Sequence, residues 1–326
     1  LALALGAAST TAFTANVSAQ EESAEGDSVE KIAVTGSRIR KADFVSNAPV
    51  ATIGAEQFQL SATVNTESLL NTLPQVIPGL DRTSNNPGNG TATVDLRGLG
   101  TNRTLVLING TRAVPTTAGG TVDINSIPTA LIQDVEVLTG GASAVYGSDA
   151  LAGVVNFQLV DDFQGAEFTA LYDTTTEGDG EKINFDFTVG GNFDDGRGNA
   201  VIYGSVSDRQ AVFSDARDFS AVTLQDNGAN QLVPGGSSGV PGTRVFGGPT
   251  LPNGQSLGIF NQDGSGRAFQ DPADRFNYAP DNFLQLPQER YLITAMGHYD
   301  LTENARVYSE LTFVRNQVDQ ELAPTP

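Results

Sequence analysis

The rhythm of apolar and polar positions along this chain changes near residue 160. Beyond it, INFDFTVG (183–190) alternates strictly, with Ile183, Phe185, Phe187 and Val189 on one face and Asn184, Asp186 and Thr188 on the other. AEFTALYD (166–173), NAVIYGSVSD (199–208), ERYLITAMGHYDL (289–301) and ARVYSELTFVR (305–315) repeat the pattern more loosely. Period-two alternation predicts strands, five in all. On the strands alone, the wall of a membrane barrel and a soluble β-sandwich are equally good readings. The connections separate them. Strands two and three are joined by NFDDGRG (191–197) and strands four and five by a few residues around Thr302-Glu303-Asn304, whereas 210–288 intervenes between strands three and four. A segment that long exceeds what a compact domain tolerates without a reason. Short turns at one end and a long loop at the other are the asymmetry of an outer-membrane barrel.

Before residue 160 the pattern is mixed. TESLLNTLP (66–74) predicts a short helix, with Asn65 able to cap it, Leu69, Leu70 and Leu73 on one face, and Pro74 at its end. TATVDLRG (91–98) alternates like a strand. RTLVLINGTR (103–112) has the unbroken apolar centre of a strand covered on both faces, closed by an Asn109-Gly110 hairpin signal. Ser126-Ile127-Pro128 predicts another short helix, and QDVEVLTG (133–140) and GVVNFQLV (153–160) two more strands around a Gly-Ala-Ser-rich turn.

The N-terminus is different again. LALALGAAS (1–9) is apolar, and Val17-Ser18-Ala19 supplies small residues where a signal peptidase cuts, before Gln20. The lack of an initial methionine and of a charged n-region reads as a truncated front. QEESAEGDSVEK (20–31) is acidic and poor in apolar groups, the composition of a flexible arm that spans roughly 40 Å when extended. IAVTGSRI (32–39) is a β-prone island in this polar leader.

Composition narrows the classes. The 326 residues carry a net charge of −20, from 38 acids and 18 bases. That balance disfavours nucleic acid as a partner, because binding it takes a basic face. The absence of cysteine excludes disulfides, thiolate metal sites and a thiol nucleophile. A single histidine, His298, leaves little room for a catalytic triad or a His-rich metal site. The Asn-X-Thr triplets at 89, 102 and 109 are discounted because the export signal and barrel pattern look bacterial. RGLGTNR lacks the third glycine of a dinucleotide loop, and NQDGSGRAFQDP (261–272) ends in Pro272 where a calcium loop needs a bidentate Glu.

Three segments together resemble one family, the TonB-dependent outer-membrane receptors. EKIAVTGSRI (30–39) resembles their TonB box, VDLRGLGTNRTLVLINGTR (94–112) their plug motif, and SIPTALIQDVEVLTGGASAVYGSDALAGVVNF (126–157) follows the plug pattern almost throughout. FNYAPDNFLQLPQERY (276–291) resembles one large subfamily. The resemblance implies an export-signal remnant (1–19), a periplasmic arm with the box (20–43), an α+β plug domain (44–160), and then the first antiparallel strands of an incomplete transmembrane β-barrel (161–326). It implies a bacterial outer-membrane location, with plug and arm on the periplasmic side.

The implied function is energised uptake of a scarce ligand, an iron–siderophore, a cobalamin or an oligosaccharide, without catalysis and without a cofactor or metal. The implied partners are TonB with its inner-membrane energising complex, the small-molecule or oligosaccharide ligand, and outer-membrane lipid. Ile32, Ala33, Val34, Thr35 and Gly36 would pair as a strand with TonB, as an exposed β-branched run on a flexible leash can, with the first strand of the plug itself as the rival reading. Arg97, Arg103 and Arg112, with Asp95, Asp134 and Glu136, would supply ion pairs of the plug, a role no easier to support than plain structural pairing. Asn85, Asn86, Asn89 and Thr91 would face ligand from the plug apex, with a plain turn as the equal alternative. The receptors of this family that signal to transcription carry an extra domain between export signal and box, and here that interval is about a dozen residues. Two rivals remain: a surface β-protein that grips its ligand through the long loop without transporting it, and a secreted hydrolase built on carboxylates.

Overall fold

The computed structural model describes residues 11–16, 50–54, 66–85, 88–140, 142–160 and 162–321. The expected TonB box, Ile32–Gly36, lies outside them, as do Asn65, Asn86 and the cleavage site. Strand β1 (Thr11–Asn16), within the expected export signal, lies antiparallel to β9 (Gly165–Asp173) at the edge of the largest sheet.

The plug is a five-stranded mixed sheet built from β2 (Val50–Gly54), β5 (Thr104–Ile108), β6 (Thr111–Arg112), β7 (Ile132–Leu138) and β8 (Gly153–Leu159), in the order β2-β7-β8-β5-β6. β3 (Val76–Pro78) and β4 (Val94–Leu96) pair separately. β5 runs parallel to β8, and all other pairings are antiparallel. β5 and β8 are covered on both faces, which is why their sequences read as continuous apolar runs. Asn109 and Gly110 both take positive φ, 49° and 75°, as the expected tight hairpin requires.

Two predicted helices come out shorter. α1 covers Thr66–Leu70 only. Its continuation tightens into three-residue turns, Thr72 N–H to Leu69 O and Leu73 N–H to Leu70 O, ahead of Pro74. The helix expected from Ser126 is instead two three-residue 3-10 turns, Ile124–Ser126 and Thr129–Leu131, interrupted by Pro128, which has no N–H to continue a helix. α2 (Ser143–Tyr146) fills the Gly-Ala-Ser-rich turn.

The five alternating segments become β9, β10 (Lys182–Phe193), β11 (Gly198–Arg209), β18 (Gln288–Thr302) and β19 (Ala305–Gln317), a meander in which each pairs antiparallel with the next. This wall is inside out relative to a soluble sheet. Phe185, Ile202 and Ile293, on its outer face, are 58%, 52% and 54% exposed, while Asn184 and Thr294, on its inner face, are 3% and 1% exposed. The inner face packs on the plug: Val201, Tyr203 and Leu292 join the same apolar cluster as Leu96, Val135 and Phe157.

Residues 210–287, with 83–85, 88–89 and 319–321, form a second compact unit. It is ordered by three small antiparallel pairs, β12 (Val212–Phe213) with β17 (Phe283–Gln285), β13 (Leu224–Asp226) with β14 (Leu232–Pro234), and β15 (Ile259–Phe260) with β16 (Gly266–Arg267). Among the described residues no helix is long and apolar enough to cross a membrane, which says nothing of crossing by strands.

Candidate functional site

The seam between plug and wall holds two buried charged groups that sequence reasoning did not single out. Glu67, on α1, is buried, and burial lifts its carboxyl above the ordinary range even though Arg209, Arg82 and Lys182 oppose that shift. Its Oε2 has no hydrogen-bond partner. Arg209 ends β11 and Lys182 begins β10, so two wall strands bring cations to one plug helix. Arg82 donates to Ser68 Oγ at 3.0 Å, which holds a third cation beside the same helix.

The second group centres on Asp123. Its Oδ1 accepts from the backbone N–H of Ala92 and of Asn125, each at 3.0 Å, and so caps the 3-10 turn. Asn125 Nδ2 donates to Gly90 O at 3.1 Å. Burial again lifts the carboxyl, against those hydrogen bonds and the charge of Arg290. Arg290 projects from β18, is buried, and donates to Asn125 O at 3.3 Å. Asp123 and Asn125 together therefore tie residues 90–92, the turn and a wall strand. The sequence signal was present in part: Arg290 stands at an inward position of an alternating strand, where a charge in a lipid-immersed wall is tolerated.

The plug charges chosen from sequence sit elsewhere. Arg97 occupies a left-handed turn (φ 59°) and donates to the carbonyls of Leu151 and Ala152, at 3.3 and 2.9 Å. Arg103 donates to Leu99 O at 2.9 Å. Arg112 pairs with Asp149 at 2.6 Å, on the surface, and donates also to Tyr146 O. Asp95 accepts from Gly100 N at 2.9 Å. Glu136 accepts weakly from Asn156 Nδ2 at 3.4 Å, and Asp134 is lifted by burial and then by Glu136. Turn carbonyls thus hold Arg97 and Arg103, and Asp149 holds Arg112.

The apex candidates also separate. Asn85 is buried and its Nδ2 donates to Asn282 Oδ1 (3.3 Å) and Glu321 O (2.9 Å), so it props the second unit instead of facing solvent. Asn89 is exposed and Thr91 is half-buried. In that unit Arg267 pairs with Asp274, whose carboxyl is held down to about 2 by the hydrogen bond from Arg267, and Arg244 lies 3.7 Å from the Phe269 ring centroid. Among the described residues no group of acids and histidine is arranged to hold a metal.

A globular mixed-sheet plug against the polar inner face of a meander whose apolar face points away defines a plugged β-barrel of the outer-membrane class. Residues 44–154 match the TonB-dependent Receptor Plug Domain family. That match covers the plug domain, about a third of the chain. Its fold is similar to that of the ferric enterobactin receptor mutant R480A from Pseudomonas aeruginosa, solved with enterobactin. There the TM-score is 0.54 at 17% identity, over 84% of this chain and 34% of that one. It is similar also to the siderophore receptor PirA from Acinetobacter baumannii, with a TM-score of 0.53 at 19% identity over 82% of this chain and 32% of that one. The chain spans about a third of the length of these structures.

Proposed function

We propose that this chain is the front part of an outer-membrane transporter that takes up a scarce ligand with energy delivered by TonB. The observation carrying this reading is the inverted wall, polar where it meets the plug and apolar where it faces away, which suits lipid outside and a plugged lumen inside. In this reading β9 runs outward from the plug. The turns at 194–197 and 303–304 are then periplasmic and 210–287 is extracellular. Ligand binds on the extracellular side, TonB pairs with Ile32–Gly36, and pulling on the arm moves the plug. The ligand is of the iron–siderophore, cobalamin or oligosaccharide class, and the matched structures of a ferric enterobactin receptor and a siderophore receptor favour the first.

The test is a titration of purified periplasmic TonB domain into the complete receptor, beside a Val34→Pro variant. Proline removes a backbone donor and breaks strand pairing. Binding by the wild type that drops about a hundredfold or more in the variant, with ligand uptake lost, is the expected result. Ligand binding at the cell surface without any TonB association would make the protein a non-transporting surface binder.

A further inference from the structure

The outer face of the wall carries two features in line along β11. Near the 194–197 turn, Phe193 and Tyr299 stack with ring centroids 6.0 Å apart and planes 6° from parallel. They do so across Gly198, where a Cβ would come within 2.3 Å of the Phe193 ring. The Arg197 guanidinium lies 5.4 Å from the Tyr299 centroid, and Asp194 accepts from both Arg197 and the Tyr299 hydroxyl. Further along the same face is a groove of about 360 Å³, walled by Phe168, Phe185, Phe187 and Val206 and floored by Gly204. Gly204 repeats the device: a Cβ there would come within 2.2 Å of the Phe187 ring, so glycine lets that ring lie flat.

The spacing of the two features matches one membrane leaflet. Gly198 and Gly204 are six residues apart on one strand, about 20 Å at roughly 3.3 Å per residue. At a barrel-strand tilt of about 40°, that is about 15 Å of depth, half of a hydrocarbon core about 30 Å thick. A headgroup at Arg197 therefore places the end of its acyl chain at the groove. The charges fit one headgroup type. Exposed ion pairs such as Arg197–Asp194 contribute little, so a phosphate can engage the guanidinium while an ammonium engages the freed carboxylate. The aromatic pair supplies the interfacial platform between them.

Resting on the outer-membrane reading above, we infer that Arg197, Asp194 and the Phe193–Tyr299 pair hold the headgroup of one zwitterionic amine-bearing phospholipid of the periplasmic leaflet, whose acyl chain lies in the Phe168–Phe187–Val206 groove. The complete receptor, extracted in mild detergent from outer membranes, is examined by native mass spectrometry through graded delipidation. The wild type should retain one ethanolamine phospholipid. Arg197→Gln, on an exposed turn, and Val206→Trp, which fills the groove, should each lower retention about tenfold. Leu311→Trp, an equal change on the same outer face away from the groove, should leave it unchanged. No retained lipid in the wild type, undiminished retention in either of the first two variants, or equal loss in all three overturns the site. A receptor that does not fractionate with the outer membrane overturns the wall reading itself, before any lipid is counted.

Discussion

Burial lifts the Glu67 carboxyl while Arg209, Arg82 and Lys182 pull the other way, so the protonated form suits the docked plug better than the unfolded chain. The sign follows. A carboxyl whose folded-state value lies above its unfolded value contributes stability that is complete below the unfolded value and is lost as pH rises through the folded one. Each tenfold difference in proton affinity is worth about 1.4 kcal/mol. Glu67→Gln cannot ionise, so the melting temperature of the purified receptor should fall less between about pH 4 and about pH 8 in the variant than in the wild type. Parallel curves for the two proteins would remove Glu67 as a pH-dependent tie between plug and wall. This residue was not legible in the sequence. Local pattern places Glu67 on a short helix, but Lys182 and Arg209 arrive from strands more than a hundred positions away, and no periodicity announces that meeting. Asn109-Gly110, by contrast, was legible, because its constraint is local: two adjacent residues that tolerate positive φ between two β-prone runs.

Element boundaries follow the same division. The five wall strands appear where alternation put them, and β10 and β18 run longer because pairing with neighbours carries the ladder past the clean part of the pattern. The plug helices shrink because their ends are set by local geometry, Pro74 and Pro128, and their packing by the sheet. Period two states that residues 183, 185, 187 and 189 share a face. It does not state which face meets water, and the burial of Asn184 and Thr188 settles that. The consequence can be measured. Phe185→Arg places a cation on the lipid side of β10 and should cost about 2–4 kcal/mol in folding of the receptor into micelles or bilayers, followed by urea titration and heat-modifiable gel mobility. Glu303→Arg, in the exposed turn between β18 and β19, should change stability by no more than about 0.5 kcal/mol. If Phe185→Arg were equally mild, the outer face would be meeting water, and the barrel reading of the wall would fail.

At the scale of the whole molecule, the proposed uptake raises the question of how a pull on the arm would open a plug whose core is continuous with the inner face of the wall. β2 is the first described plug strand after the arm and forms one edge of the five-stranded sheet, bonded only to β7 within it. In the proposed mechanism tension would therefore reach β2 before the buried strands β7, β8 and β5, and before the Arg290–Asn125 contact. Two routes differ in what must break. Local unravelling separates β2 from β7 and leaves Val135, Phe157 and their neighbours in place. Displacement of the plug as one body keeps β2 on β7 and instead parts the core from Val201, Tyr203 and Leu292. Unravelling uncovers Ile53 and breaks a single strand pairing, whereas displacement uncovers the whole seam against Val201, Tyr203 and Leu292 at about 25 cal/mol per Å², and we expect the plug to open from the edge. Ala51 and Val137 face each other across β2 and β7, and antiparallel partners have Cα separations that a disulfide accepts. With no native cysteine in this chain, Ala51→Cys with Val137→Cys should form a clean lock. Under oxidising conditions ligand binding should persist while uptake falls at least about tenfold, and reductant should restore it. Uptake that continues through the locked pair, confirmed as oxidised by mass, would show that the plug moves as a body and that the wall contacts are the ones that yield.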